Sequence, residues 1–493
     1  MVNISFEQAA LLGKNYRAVP VSASIPAGGR TPADVFLILK NLSKHCFILE
    51  SAEDETRYGR YTFIGYDPKM EITAENGNMS IKSYAEINLR EDNPARRIKE
   101  ILRDNTSPKV DGLPPFTGGL VGYFSYDYIK YAEPSLTFSA EKDDVFKDVD
   151  LMLFDKIVAF DHLKDTIILI VNARTDGLSE NYNRAVSDIE KLAHVIESGK
   201  PYEPKKLRIL SPFRPRHSKG EYCGMVTRAK DYIHEGDIFQ VVLSNRYDAE
   251  AEGSLFETFQ ILRESNPSPY MLYFSSDDIE IAGSAPETLV SVTDGVISTF
   301  PLAGTRPRGA TRKKDKELED DLLRDEKELA EHNMLVDLGR NDIGKISEFG
   351  SVEVEKYMEI ERFSHVMHIG SKVTGKLREG FDAVDAVGAL LPAGTLSGAP
   401  KIRACQIIDE LEQCHRGIYG GAIGYLAFNG DMDVCIAIRL AYKKNNRVYV
   451  RSGAGIVADS VPETEYKECL NKMKAVTNAL KKASGGEKND SAD

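Results

Sequence analysis

Two pairs of glutamates, each pair spaced three residues apart, are the residues of this chain best suited to hold a divalent cation. Glu465 and Glu468 lie just before Lys472, in a stretch that follows the strand-like run Val448–Arg451 and a small-residue turn, Ser452-Gly453-Ala454-Gly455. The spacing i, i+3, i+7 puts both carboxylates and the lysine on one helix face. Cys469, Met473, Val476 and Leu480 give the neighbouring apolar stripe that packs such a helix down. Ser460 and Glu463 have capping-box spacing, and Pro462 stands where a first-turn proline is tolerated. Bare backbone amides beside carboxylates and a lysine suit a small anion held together with a metal ion. A solvated helix after a tight turn has the same pattern. Glu328 and Glu331 repeat the pair inside the charged helical segment 313–338, with Leu318, Leu322, Leu329 and Val336 as its apolar stripe. Brought together, the two pairs would make a site of carboxylate and water for Mg²⁺.

Other residues invite chemistry less specifically. His365 and His368 alternate with apolar neighbours, which fits a strand; an acid/base or orienting histidine suits them better than a two-histidine zinc site. The loop Leu391–Lys401 holds glycines, Thr395 and Ser397 ahead of a helix at 402–411, an arrangement that suits a carboxylate or phosphate. It lacks the spacing of a nucleotide P-loop. Arg306 and Arg308, in PLAGTRPRG, suit either an anion or a basic surface loop. Gln240, in a strand at 238–244, reads as an outward polar residue. Glu50-Ser51, at the end of the strand 46–49, is either a strand exit or a ligand grip.

The elements that must position these residues alternate between strand and helix. The chain has 493 residues, 42% of them hydrophobic, enough for a large core. A formal charge of −13 argues against nucleic acid as the main partner. Six cysteines without a CxxC pair read as free thiols of a reducing cytoplasm. No secretory leader or membrane span is expected. The Pro-rich, basic stretch 199–220 divides an N-terminal half, 1–205, from a second half, 206–485, and 486–493 reads as a frayed tail. Gly118–Tyr123 (GGLVGY) is echoed by Gly420–Tyr425 (GGAIGY), which suggests halves built alike.

In order along the chain, LES (49–51), GDIFQVVLS (236–244), NPSPYM (266–271), GSAPE (283–287), PLAGTRPRG (301–309), DEKELAEHNMLVDLGRND (325–342), HVMH (365–368), LPAGTLSGAPK (391–401), YGGAIGY (419–425) and SGAGIVADS (452–460) resemble the chorismate-utilising enzymes, in the branch formed by the large subunits of anthranilate synthases. The resemblance spans roughly residues 40–480. It implies an α/β fold of two large, mostly antiparallel sheets packed as a sandwich with helices outside. It implies Mg²⁺ held by Glu331 and Glu468 with Glu328 and Glu465 in support, and a ring carboxylate gripped by Gly453, Ala454, Gly455, Thr395, Lys472 and Tyr419. Arg439 would fork onto the enolpyruvyl carboxylate. His368 would serve the elimination step. Siblings with a lysine general base carry it where this chain has Gln240, and those with a nucleophilic lysine carry it at Ala303; both residues here imply ammonia attack at C2. The implied reaction turns chorismate and ammonia into anthranilate and pyruvate. The first alternative is an enzyme that stops at aminodeoxyisochorismate, the second a silent tryptophan-sensing subunit. A tryptophan inhibitory pocket is implied at Glu50, Ser51, Asn266, Pro267, Tyr270, Met271, Tyr425 and Cys435, with Arg57 and Arg60 departing from the family's usual contacts there. No glutaminase segment is present, so a separate glutamine amidotransferase subunit is implied as the ammonia source.

Overall fold

Runs such as Thr166–Arg174, in which nearly every residue is β-branched or apolar and buried, must be covered on both faces, and this dictates a layered structure. A computed structural model describes residues 2–51, 59–138, 146–363 and 366–486. His365, Arg57 and nearly all of the tail expected at 486–493 lie outside the described residues.

The strands up to residue 174 are β1 (Ala18–Pro26), β2 (Cys46–Glu50), β3 (Tyr61–Tyr66), β4 (Met70–Glu75), β5 (Asn78–Lys82), β6 (Glu86–Arg90), β7 (Gly119–Phe124), β8 (Val149–Phe154), β9 (Lys156–Asp161) and β10 (Thr166–Arg174). Two-residue strands β11 (Arg208–Ile209) and β12 (Arg214–Pro215) follow. Then come β13 (Gln240–Glu252), β14 (Tyr270–Ser275), β15 (Ile279–Ala285), β16 (Thr288–Thr293), β17 (Val296–Thr299), β18 (Leu302–Pro307), β19 (Glu353–Arg362) and β20 (Val366–Lys376). The last are β21 (Gly398–Ala399), β22 (Ala422–Ala427), β23 (Met432–Ile436), β24 (Leu440–Lys444) and β25 (Arg447–Ile456). Helices are α1 (Phe6–Leu12), α2 (Pro32–Lys40), α3 (Pro94–Arg103), α4 (Ile129–Ala132), α5 (Leu178–Ser198), α6 (Lys219–His234), α7 (Phe256–Ser265), α8 (Arg312–Leu322), α9 (Glu326–Gly344), α10 (Ala383–Leu390), α11 (Lys401–Glu412) and α12 (Pro462–Ala483).

Two antiparallel sheets face each other. One runs β1-β10-β9-β3-β2-β14-β15-β24-β25-β13-β11, the other β18-β20-β17-β16-β23-β22-β7-β8-β4-β5-β6. An aromatic-rich layer between them holds Phe47, Phe116, Tyr123, Phe154, Phe274 and Tyr442. The outer face of the first sheet packs under α1, α2, α5, α7 and α12, and that of the second under α3, α9 and α10. The expected sandwich with outside helices is what forms. Among the described residues no helix is long and apolar enough to cross a membrane. The six cysteines are unpaired thiols, five of them buried.

Each sheet divides in the middle. The seam is β2 against β14 in the first sheet and β7 against β22 in the second. Outward from the seams, strands before residue 175 run β2-β3-β9-β10-β1 and β7-β8-β4-β5-β6; later strands run β14-β15-β24-β25-β13 and β22-β23-β16-β17-β20. In chain order these are the same two series. The echoed glycine motifs occupy equivalent strands, and Gly122 sits directly opposite Gly424 across the seam. Backbone approaches there too closely for side chains: a Cβ on Gly122 would lie 2.0 Å from the Asp150 carbonyl oxygen, and one on Gly424 2.2 Å from that of Asp433. Corresponding helices also follow corresponding strands, α5 after β10 and α12 after β25. The insertion from α8 to β19 has no counterpart among the described residues of the first half.

Several expectations change locally. The segment 313–338 is two helices, because Asp325 accepts from the N–H groups of Lys327 and Glu328 and starts a new one. Ser452–Gly455 is no turn; it continues β25. Ser460 does not cap α12: its hydroxyl accepts from the Val457 N–H, and the helix starts at Pro462 without a side-chain cap.

Candidate active site

One cavity, about 740 Å³, opens where β13, β25, α9, α12 and the loop before α11 converge. All four glutamates line it, Glu328 and Glu331 from α9 and Glu465 and Glu468 from α12. Burial, then repulsion from Glu331, raises the Glu328 carboxyl above its ordinary range. Burial first and the Glu468 charge second do the same to Glu465, against a hydrogen bond from Ser460. No three of these carboxylates have oxygens within 4.8 Å of one another. Mutually repelling, half-buried, all-oxygen donors on two helices fit a hard dication that would draw them together.

Arg439 lines the same cavity. Its backbone is left-handed, at φ 51°, and its carbonyl accepts from the Ser284 N–H. Its guanidinium makes no hydrogen bond or ion pair with any described residue, and burial depresses its pKa against the pull of Glu287. A largely buried guanidinium without a partner is an open anion site. Lys472 donates to the Gly453 carbonyl at 3.2 Å and pairs with Glu468 at 2.8 Å. Because N–H and C=O of one strand residue share a side, Gly453 and, two residues on, Gly455 present their amides to the cavity. Ala454 does not: it is fully buried on the other side, among Tyr222, Val241 and Cys405. The Tyr419 hydroxyl closes over Gly453, 3.1 Å from where a Cβ would stand.

Gln240 opens β13 rather than lying outward within it. It is 4% exposed, lines the cavity, and its Oε1 has no hydrogen-bond partner among the described residues. Gly455 has to be glycine beside it, because a Cβ would lie 2.6 Å from the Gln240 amide nitrogen. His368, on β20, is held by Nδ1, 2.8 Å from the Gly304 carbonyl and 3.1 Å from the Thr305 hydroxyl. A carbonyl only accepts, so Nδ1 carries the proton and Nε2 keeps a lone pair. Burial holds the ring below its ordinary pKa despite the Gly304 bond.

Sequence reasoning missed Glu287, the last residue of GSAPE. It is 9% exposed, accepts from the Thr395 hydroxyl at 3.2 Å, and burial pushes its carboxyl up to about 8 against Thr395, Arg439 and Lys472. It therefore stands protonated near neutral pH. The only signal in the sequence was a carboxylate directly after an Ala-Pro at a strand boundary, which many loops share.

Some expectations fall away. Arg306 pairs with Asp321 at 2.7 Å and Asp325 at 2.9 Å, and Arg308 with Asp315 at 2.9 Å, so neither is free for an anion. The start of α11 does not face the cavity, since Ser397 donates to the Ala393 carbonyl and Lys401 is buried against Asp342; from that loop Thr395 and Leu396 reach it.

The residues expected to bind tryptophan gather at the seam. Glu50 pairs in register with Met271 and binds Arg263 at 2.6 Å. Tyr270 and Tyr425 pack on the layer between the sheets that contains Cys435. The Tyr270 hydroxyl donates to Asp433 at 2.7 Å and contacts Thr288, the neighbour of Glu287, at 2.7 Å. Asn266 and Pro267 also line the large cavity, and Ser51 directly follows β2. Arg60 is held by Asp161 at 2.8 Å.

Residues 44–478 match the family model of chorismate binding enzymes. The chain is 44% identical to anthranilate synthase component 1 of Acetivibrio thermocellus, over 97% of this chain and 98% of that protein, and 43% identical to that of Aquifex aeolicus, again over 97% and 98%. It resembles the crystal structure of anthranilate synthase component I from Streptococcus pneumoniae at 39% identity and a TM-score of 0.77, covering 92% of this chain and 99% of that one. The menaquinone-specific isochorismate synthase of Escherichia coli, at 20% identity and a TM-score of 0.69, shares the fold.

Proposed function

The chain belongs to the chorismate binding enzymes, and we propose that it converts chorismate and ammonia to anthranilate and pyruvate. The observation that carries this reading is the cavity's charge: an unpaired Arg439, four carboxylates from α9 and α12, and an unpartnered Gln240 acceptor line it together. Chorismate has two carboxylates, one for each end. Arg439 forks onto the enolpyruvyl carboxylate. The amides of Gly453 and Gly455, with Lys472, Thr395 and Tyr419, hold the ring carboxylate. Glu331 and Glu468, supported by Glu328 and Glu465, would hold Mg²⁺, which supplies the charge that lets a dianion sit among glutamates.

Gln240 has no basic group, so it cannot deprotonate water as a lysine would. Its Oε1 accepts an N–H of ammonia and aims the nitrogen lone pair at C2. As the C2–N bond forms the ring double bonds shift, and the 4-hydroxyl leaves as water with the proton of Glu287. The ammonium at C2 then gives up a proton, which restores Glu287. In the second half Nε2 of His368 takes the C2 proton, the C3–O bond breaks, and the enolpyruvyl carbon is protonated to release pyruvate. The same reading assigns the ammonia to a separate glutamine amidotransferase subunit and Glu50, Ser51, Asn266, Pro267, Tyr270, Met271, Tyr425 and Cys435 to tryptophan inhibition. It takes residues 1–205 and 206–485 as the two structural units.

The test is a product assay on the purified chain with chorismate, Mg²⁺ and ammonium at alkaline pH, followed by anthranilate fluorescence. Anthranilate formation that is lost without Mg²⁺ supports the reading. Accumulation of aminodeoxyisochorismate would instead assign an enzyme without the elimination step, and isochorismate would overturn the role given to Gln240.

A further inference from the structure

The first half contains a second cavity, about 670 Å³, at the place equivalent to the catalytic one. It is walled by β10 and α5, the counterparts of β25 and α12. The register is kept along the helix. Glu465, Glu468 and Lys472 are the fourth, seventh and eleventh residues of α12; Asn181, Arg184 and Asp188 are the fourth, seventh and eleventh of α5, and all six line their own cavity. The strands agree. Arg17 lies just before β1 and Gln240 opens β13, each beside its own half's cavity. Lys69 precedes β4 as Glu287 precedes β16, and Asp155 precedes β9 as Arg439 precedes β24. Each of these residues also lines its own half's cavity.

The charges are inverted: Arg for Glu at the seventh helix position, Asp for Lys at the eleventh, Lys for Glu before the strand, and Asp for Arg at the deep end. The polar floor is unsatisfied as well. Asn172 is 6% exposed and its amide nitrogen donates to the Thr117 and Asp155 carbonyls, while its Oδ1 and the Asp155 Oδ1 are buried without a partner. Two bare acceptors inside call for an N–H or O–H donor. Arg17 is exposed, and Arg184 has only a solvent-exposed pair with Glu180, a weak competitor for a carboxylate. Among the described residues the first half has no counterpart of α9, and no glutamate lines its cavity.

We infer that this cavity is a second, metal-independent binding site for a small carboxylate that also carries an amine or hydroxyl donor. The donor end enters first, onto Asn172 and Asp155. The carboxylate stays at the mouth on Arg184 and Arg17, whose fork geometry suits it. With Lys69 in place of the acid Glu287 and no histidine among the described residues that line it, the site binds without turnover.

The probe pair is 2-aminobenzoate and benzoate, which share a ring carboxylate and differ by one donor. Calorimetric titration without Mg²⁺ compares the wild type with a doubly substituted Arg17→Glu/Arg184→Glu chain. Both positions are on the surface and outside the catalytic cavity, so chorismate turnover and the unfolding midpoint should be unchanged. The wild type should bind one equivalent of 2-aminobenzoate more than the variant, with a Kd of about 10⁻⁴–10⁻³ M. Benzoate should bind that equivalent about 10-fold more weakly. Equal stoichiometry in the two proteins, or equal affinity for the two probes, overturns the inference. Failure of the chain to turn over chorismate would overturn the proposed reaction and leave this equivalent in place.

Discussion

The two halves of the chain have the same strand order and nearly opposite chemistry. In the second half, β25 and α12 deliver glycines, glutamates and a lysine, and α9 adds a facing pair of carboxylates. In the first half Asn172, Arg184 and Asp188 line the cavity, and Ile101, Asp104 and Asn105, at the end of α3, line it in place of a glutamate pair. The scaffold therefore fixes where a cavity opens, and a few side chains on one strand end, one helix face and one insertion decide what it does. The inserted α9 matters most, because it turns a surface cleft into a two-walled site that collects charge.

Four tests break or sharpen the contrast, in descending order of effect. Arg439→Lys, which removes the fork that separates the two deep ends, should lower kcat/KM for chorismate about 10²–10³-fold with an unchanged unfolding midpoint. Steady-state kinetics beside thermal unfolding would check it. Glu287→Gln should cost about 10²-fold in kcat and abolish the alkaline limb of the pH profile, since the acid must be protonated and its carboxyl is raised to about 8. The linkage sign gives a second readout. A carboxyl raised from 4.5 to about 8 favours folding below 4.5 and loses that contribution as pH rises through about 8. The variant should therefore unfold at a higher temperature than the wild type above pH 8.

The next test concerns the likeness of the halves. Gly122→Ala and Gly424→Ala face equivalent carbonyls and should each cost about 2–3 kcal/mol by denaturant unfolding. Very unequal costs would show that the seam is not symmetric in its packing. The smallest effect belongs to a contact that links the sheets and both halves. His45 bridges Glu71 at 2.7 Å and Asp277 at 3.0 Å, with Lys82 3.2 Å from Asp277. The Glu71 bond raises the imidazole's pKa against burial, so its stabilisation is present below 6.5 and lost as pH rises past the raised value. His45→Gln should cost about 1 kcal/mol at pH 6 and little at pH 9.

The long motifs made the family and the sandwich legible, and the i, i+3 glutamate pairs made one face of the site legible before any coordinates. What stayed hidden was set by tertiary context. Glu287 looks like a loop carboxylate until burial protonates it, and Gln240 looks like a surface residue until β13 turns it inward. Ser452–Gly455 reads as a turn because small residues favour turns, but β25 uses them to turn its unpaired edge to the cavity. Arg306 and Arg308 look like an anion site in sequence and are occupied by carboxylates from α8 and the start of α9. The second cavity could not be read from composition, since only the equivalence of β10 with β25 marks it.

The continuous seams have a consequence for the origin of the chain. Separated at residues 199–219, either half would bare two full strand edges, β2 and β7 on one piece, β14 and β22 on the other. Exposed edges of this kind seek a partner strand, and the nearest complementary edge is another copy of the same piece. A lone half would therefore have been a homodimer with two identical clefts. In such a dimer an insertion would enter both clefts alike; within one polypeptide only one cleft carries α8 to β19 and the other stays open.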